Sequence, residues 1–115
     1  QKDGPIRCVM RFIPLSAIPN QTLSVVLDGQ ACTISLYWRQ VRLYLDLISN
    51  GIRVVTGAVC ENKANVLQSR RLYFQGSLHF FDGEGDRPPR YEGLDTRWVF
   101  VFIPEGETLP EKLRY

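Results

Sequence analysis

Few residues in this chain could carry chemistry, and their spacing does not assemble them. His79 is the single histidine, so any Ser/His/Asp or Cys/His nucleophilic arrangement has to use it. It stands in the aromatic run Leu78-His79-Phe80-Phe81, where strand-like alternation turns it away from Leu78 and Phe80. A histidine in that setting serves structure more readily than catalysis. The cysteines Cys8, Cys32 and Cys60 lie far apart with no CxxC pair, and with one histidine they do not supply the close N and S ligands of a zinc site. Cys32 and Cys60 fall in apolar runs, where a thiol acts as a small buried hydrophobe. Three free thiols suit a reducing cytoplasm, although the count also allows one disulfide. The segment Asp82 to Asp86, DGEGD, has the look of a calcium loop, but the closing Glu that such a loop needs at its twelfth position is Gly93. Glu84, Asp86, Glu92 and Asp95 share one solvated loop without a visible carboxylate pair. No phosphate-cradling GxxxxGK(S/T) or GxGxxG is present. The residues therefore predict no catalytic set, no metal site and no cofactor.

The elements that would position any site have a period of two. Leu23, Val25 and Leu27 alternate with Thr22, Ser24 and Val26, and Ile34, Leu36 and Trp38 alternate with Thr33, Ser35 and Tyr37. Val41, Leu43, Leu45 and Leu47 alternate with Arg42, Tyr44, Asp46 and Ile48. Such runs read as half-buried antiparallel strands. Asp28-Gly29 and Asn50-Gly51 supply the positive φ angles of tight hairpins, and Arg39-Gln40 is a weaker turn signal. Thr22 to Cys60 is thus predicted to be a four-strand meander, with Gly57 marking a bulge or a break. Glu61 to Ser69 reads as a loop or a short helical turn, and β character resumes over Leu72 to Asp82. Leu72 to Ser77 matches part of a protease-cleavage tag, but Arg70 stands where the tag carries Glu, and the segment reads as native. Asp82 to Thr96, with Pro88-Pro89, is a loop, and Arg97 to Ile103 is a strand buried on both faces. The fold class predicted is all-β: a single small antiparallel β-sandwich or barrel of about six to eight strands with extended N- and C-terminal arms. Residues 1–11 form an N-terminal arm or extension, 12–104 the β domain and 105–115 a C-terminal tail.

Bulk properties agree with one globular domain. The 115 residues are 44% hydrophobic and 23% charged. A net charge of +2 does not mark a nucleic-acid protein, and no apolar run is long enough to cross a membrane as a helix. Eleven of the 14 basic residues are Arg, which suits bidentate pairing and stacking at protein interfaces as well as ordinary surface ion pairs. Tyr37, Tyr44 and Tyr73 interleaved with Arg42, Arg70 and Arg71 leave open an OB-like single-stranded nucleic-acid binder. Exposed Tyr and Trp leave open a carbohydrate-binding module.

The most particular string is Phe12-Ile13-Pro14-Leu15-Ser16-Ala17-Ile18-Pro19-Asn20-Gln21-Thr22-Leu23-Ser24-Val25, closing on Asp28-Gly29. Its two X-Pro steps force extended backbone before each proline. Ile13, Leu15 and Ile18 can then cover an open end of the domain, dock on a partner or seal the chain's own core. Asn20 and Gln21 can cap the first strand through bonds to backbone groups. This opening, with Leu45-Asp46-Leu47, Gly76-Ser77-Leu78, Pro89-Arg90-Tyr91 and the apolar strand to Ile103, resembles the phage baseplate plug family, named for a cyanophage with a minimal contractile tail. The resemblance covers residues 12–104. It implies a non-enzymatic structural protein of a contractile phage or prophage tail, plugging or bracing the hub near the tube end. It implies hub, tail tube, and spike or wedge proteins as partners, a symmetric homo-oligomer, and the virion baseplate as location after assembly in the host cytoplasm. No specific nucleic acid and no membrane insertion are expected. The candidate interface residues are Ile13, Leu15, Ile18, Pro19, Arg70, Arg71, Arg87, Arg90 and Tyr91.

Overall fold

A computed structural model describes residues 11–67 and 74–104, and these described residues form seven strands. After a short β1 (Arg11–Ile13), the alternating segment forms β2 (Asn20–Leu27), β3 (Gln30–Arg39), β4 (Arg42–Ser49) and β5 (Ile52–Val59). These four pair antiparallel in chain order, as their period and turns predict. One face carries Leu27, Cys32, Ile34, Leu36, Leu43, Leu45 and Leu47, all buried. The other carries Thr22, Ser35 and Asp46 in one cross-strand row, and Asn20, Tyr37 and Tyr44 in the next. Asp28-Gly29 and Asn50-Gly51 turn with positive φ at both residues, the type I′ geometry that matches strand twist.

The middle hairpin, between β3 and β4, departs from the sequence reading. Arg39 pairs with Arg42, so the turn is Gln40-Val41 rather than Arg39-Gln40, and Val41 leaves the strand. The inward pairs Leu36–Leu45 and Trp38–Leu43 set this register, and only two residues are left to reverse the chain. Both adopt left-handed backbone, φ 51° at Gln40 and 60° at Val41, which is unfavourable for a β-branched residue. Gly57, at φ 69°, lies within the register slip between Leu45 and Leu47, so it marks a bulge and not a break. There its N–H and the Tyr37 hydroxyl both donate to Asp46 Oδ1, at 2.7 and 3.0 Å.

β6 (Ser77–Asp82) and β7 (Trp98–Ile103) complete a second sheet of order β1-β7-β6. The predicted Leu72 to Asp82 strand begins, among the described residues, only at Ser77, and Leu72 and Tyr73 lie outside them. Central β7 is buried on both faces as predicted. Phe100 and Phe102 enter the main core, while Val101 and Ile103 join Phe81 on the opposite side. The described part of the segment after β5 forms no helix and lies along β6: Lys63 N–H donates to Phe80 O at 2.7 Å and Val66 N–H to Leu78 O at 2.8 Å. The inner faces of the two sheets share one core, so the architecture is a sandwich. The predicted terminal arms lie outside the described residues, apart from Arg11 in β1.

Candidate functional site

The opening motif settles as an arm clamped by its own glutamine. Gln21 Nε2 donates to Ser16 O at 2.7 Å, and Ser16 N–H donates to Gln21 Oε1 at 3.0 Å. This closes the segment between the two prolines into a fixed loop. Ile13 is 1% exposed and belongs to the domain's own core, opposite Phe100, so it seals that core and offers no surface to a partner. Leu15 is half-buried against the same core. Ile18 is 45% exposed, and Pro19 is also on the surface. The arm is tied down where Pro19 O accepts from Trp38 N–H at 2.9 Å.

Trp38 ties the arm to the long loop between β6 and β7. Tyr91 packs edge-on against it at 5.5 Å, and the Arg90 guanidinium lies 5.1 Å from its ring centre. The loop is closed at its base by Asp82, whose side chain is fully buried. Arg97 Nε and Nη2 donate to its two oxygens at 2.7 and 2.8 Å, and the Glu84 and Arg87 backbone N–H groups donate at 2.8 and 2.9 Å. These four donors, Arg97 first, hold the Asp82 carboxyl well below the usual carboxylate range, and Asp82 in return pushes Arg97 up. Arg97 lies 4.5 Å from the Trp98 ring centre, and Trp98 Nε1 donates to Arg87 O at 3.0 Å. The loop is therefore pinned at both ends and across its middle.

Between this loop and the β3–β4 turn is a cleft of about 350 Å³, lined by Val41, Arg87, Pro88, Pro89, Arg90, Arg97 and Trp98. Val41, at its rim, is 71% exposed. Arg97 is committed to Asp82, and Arg90 also reaches Glu92 at 3.4 Å. Arginine, proline and tryptophan walls beside an apolar tip suit the docking of another protein. They offer no nucleophile or general base. His79 is buried away from this end: its Nδ1 is 2.7 Å from Lys63 O and its Nε2 is 2.8 Å from Ser77 Oγ. A carbonyl only accepts, so Nδ1 carries the proton and Nε2 accepts from the serine. Burial pushes its pKa down. Among the described residues, no three His, Cys, Asp or Glu side chains are grouped to hold a metal ion.

Of the residues singled out from sequence, Pro19, Arg90 and Tyr91 converge around Trp38, and Arg87 joins Arg90 in the adjoining cleft. Ile18 adjoins Pro19 in the clamped arm. Ile13 stands apart in the core, and Arg70 and Arg71 lie outside the described residues. Sequence reasoning missed Trp38, Val41, Asp82 and Arg97. The one available signal was negative: the short link between the runs that become β3 and β4 contains no Gly, Asn or Asp, a local anomaly of the kind that functional surfaces carry.

A family model described as cyanophage baseplate Pam3 plug gp18 matches residues 10–105. No curated protein matches the chain.

Proposed function

This chain belongs to the cyanophage baseplate plug family, and from that membership we propose that it is a non-enzymatic structural component of a contractile phage or prophage tail. In this reading it fills or braces the central hub near the tail-tube end. It acts by interface burial: it holds its neighbours before contraction and releases or rearranges when the tail fires. Its partners are hub, tube, and spike or wedge proteins, several identical copies share the assembly, and it resides in the virion baseplate after assembly in the host cytoplasm. The observation that carries the proposal is the family match, which spans the whole described β domain. The arm, the β3–β4 tip and the Arg-Pro-Trp cleft, gathered at one end of the sandwich, are the surface we assign to the partner. Immunogold labelling of purified tails tests it. Label confined to the distal end, with the chain found in those particles by mass spectrometry, is the expected result. Tails that lack the chain, or label along the sheath or at the head, would overturn it.

A further inference from the structure

The edges of the two sheets are unlike. β5 carries two register slips, an exposed Arg53 and Gly57 in left-handed backbone, all of which discourage pairing. β1 is three residues long and ends before Pro14, and the free side of β6 is met by the backbone of Lys63 and Val66. Among the described residues, no strand or loop backbone covers β2 in this way. Its eight residues, NQTLSVVL, contain no charge and no proline, and its register with β3 runs unbroken from Asn20–Tyr37 to Leu27–Gln30. Among the described residues it pairs with β3 alone.

The parity of its hydrogen bonds fixes what the open side offers. Leu27 and Gln30 flank a two-residue turn, and Pro19 O accepts from Trp38 N–H, so the odd-numbered residues direct their backbone groups to β3. Asn20, Thr22, Ser24 and Val26 therefore present theirs outward, and all four are exposed. The Val26 carbonyl is taken by the Arg11 guanidinium. The row left with both donor and acceptor is Asn20, Thr22 and Ser24.

We propose that this row pairs antiparallel with the same row of a second copy, about a two-fold axis at Thr22. The inference stands on the edge itself and does not depend on the tail placement. The register sets Thr22 opposite the partner's Thr22 and Asn20 opposite the partner's Ser24, and each pair exchanges two backbone bonds. A second copy fits for three reasons. The row is self-complementary in length and in bonding groups. It brings no like charges together at the axis, where any charged residue would meet itself. It also sets each Leu23, half-exposed at the core margin, diagonal to the partner's Leu23, within reach across the new strand pair. The described edges other than β2 are short, bulged or covered, so the pairing closes as a dimer.

Sedimentation of the full chain at high micromolar concentration tests this, with circular dichroism as the folding control. The wild type should sediment as a dimer and Thr22→Lys, which sets two ammonium groups at the axis, as a folded monomer of half the mass. Cα atoms of a hydrogen-bonded antiparallel pair lie about 5.5 Å apart, within disulfide reach. Thr22→Cys should therefore cross-link under mild oxidation above the wild-type background, whereas Val26→Cys should not. A monomeric wild type, a Thr22→Lys dimer, or Val26→Cys linking as readily as Thr22→Cys would each overturn the proposal. A wild-type monomer that co-sediments with another tail protein would assign the edge to that protein's strand instead.

Discussion

Asp82 and His79 are the two titrating residues whose surroundings are most thoroughly built, and their pH signatures follow from what surrounds them. His79 has a folded pKa below its ordinary value of 6.5 because burial disfavours the imidazolium. The unfolded chain takes up that proton first as pH falls. Stability from this site is therefore present above about pH 6.5 and is lost as pH drops through the lower folded value. Asp82 is also depressed, through Arg97 and the two loop N–H groups. Its contribution is present above the unfolded carboxylate range, about pH 3.9, and is lost only further into acid. The urea midpoint followed against pH should fall in two stages. Asp82→Asn should remove the lower stage and His79→Gln the upper one, and a midpoint flat from pH 7 to about pH 4 would refute the histidine assignment. Thiol chemistry supplies a second check at this scale. Burial pushes both Cys32 and Cys60 up, so neither should react with a thiol reagent until the domain unfolds, as peptide mapping after labelling would show.

At the scale of elements, the β3–β4 turn is the clearest conflict between local preference and fold. Asn-Gly or Asp-Gly would turn here without strain, and Gln40-Val41 does not. Val41→Gly should raise stability by about 1 kcal/mol, read as a shift in the urea midpoint with unchanged slope, because a left-handed β-branched residue costs about that much. The same variant should weaken partner docking if Val41 is retained for its exposed side chain. Gly76 is the opposite case. A Cβ there would clash with the Phe102 ring and lie 2.8 Å from Ile103 O, so Gly76→Ala should cost roughly 2 kcal/mol or more. The contrast shows what the sequence made legible. The meander could be read because alternation and two Gly-containing turns act locally. The Gln40-Val41 turn could not, because core pairs on either side of it set its register. The buried β7 strand was visible as an unbroken apolar run. The ion pair of Asp82 with Arg97 was hidden by separation in sequence, since nothing local says that the ends of a loop meet. The arm was legible in its stiffness but not in its contacts, for the same two prolines permit Ile13 to face a partner or the core.

For the whole molecule, a balanced charge decides what kind of association the site can make. A net charge of +2 offers little long-range steering, and the cleft's arginines are partly offset by Asp82 and Glu92. Affinity at this end must then come from shape and from desolvated Arg, Trp and apolar contacts, with weak dependence on salt. A nucleic-acid reading makes the opposite demand, because neutralising phosphates ties affinity steeply to salt. The two are separated by one pair of measurements on the intact chain. Capture of the chain by tails assembled without it should change little as salt is raised, and a labelled single-stranded oligonucleotide should remain unbound even at low salt. Within the capture assay, Arg90→Ala should lower incorporation by about tenfold, the size of loss typical of an interfacial arginine anchor, while thermal unfolding shifts little. Trp38→Ala should lose both capture and stability, since that ring is the support on which Tyr91 and Arg90 of the loop pack. If Arg90→Ala is incorporated as well as the wild type, the end of the sandwich bearing the cleft is not the docking surface, and the interface must be sought on another face of the domain.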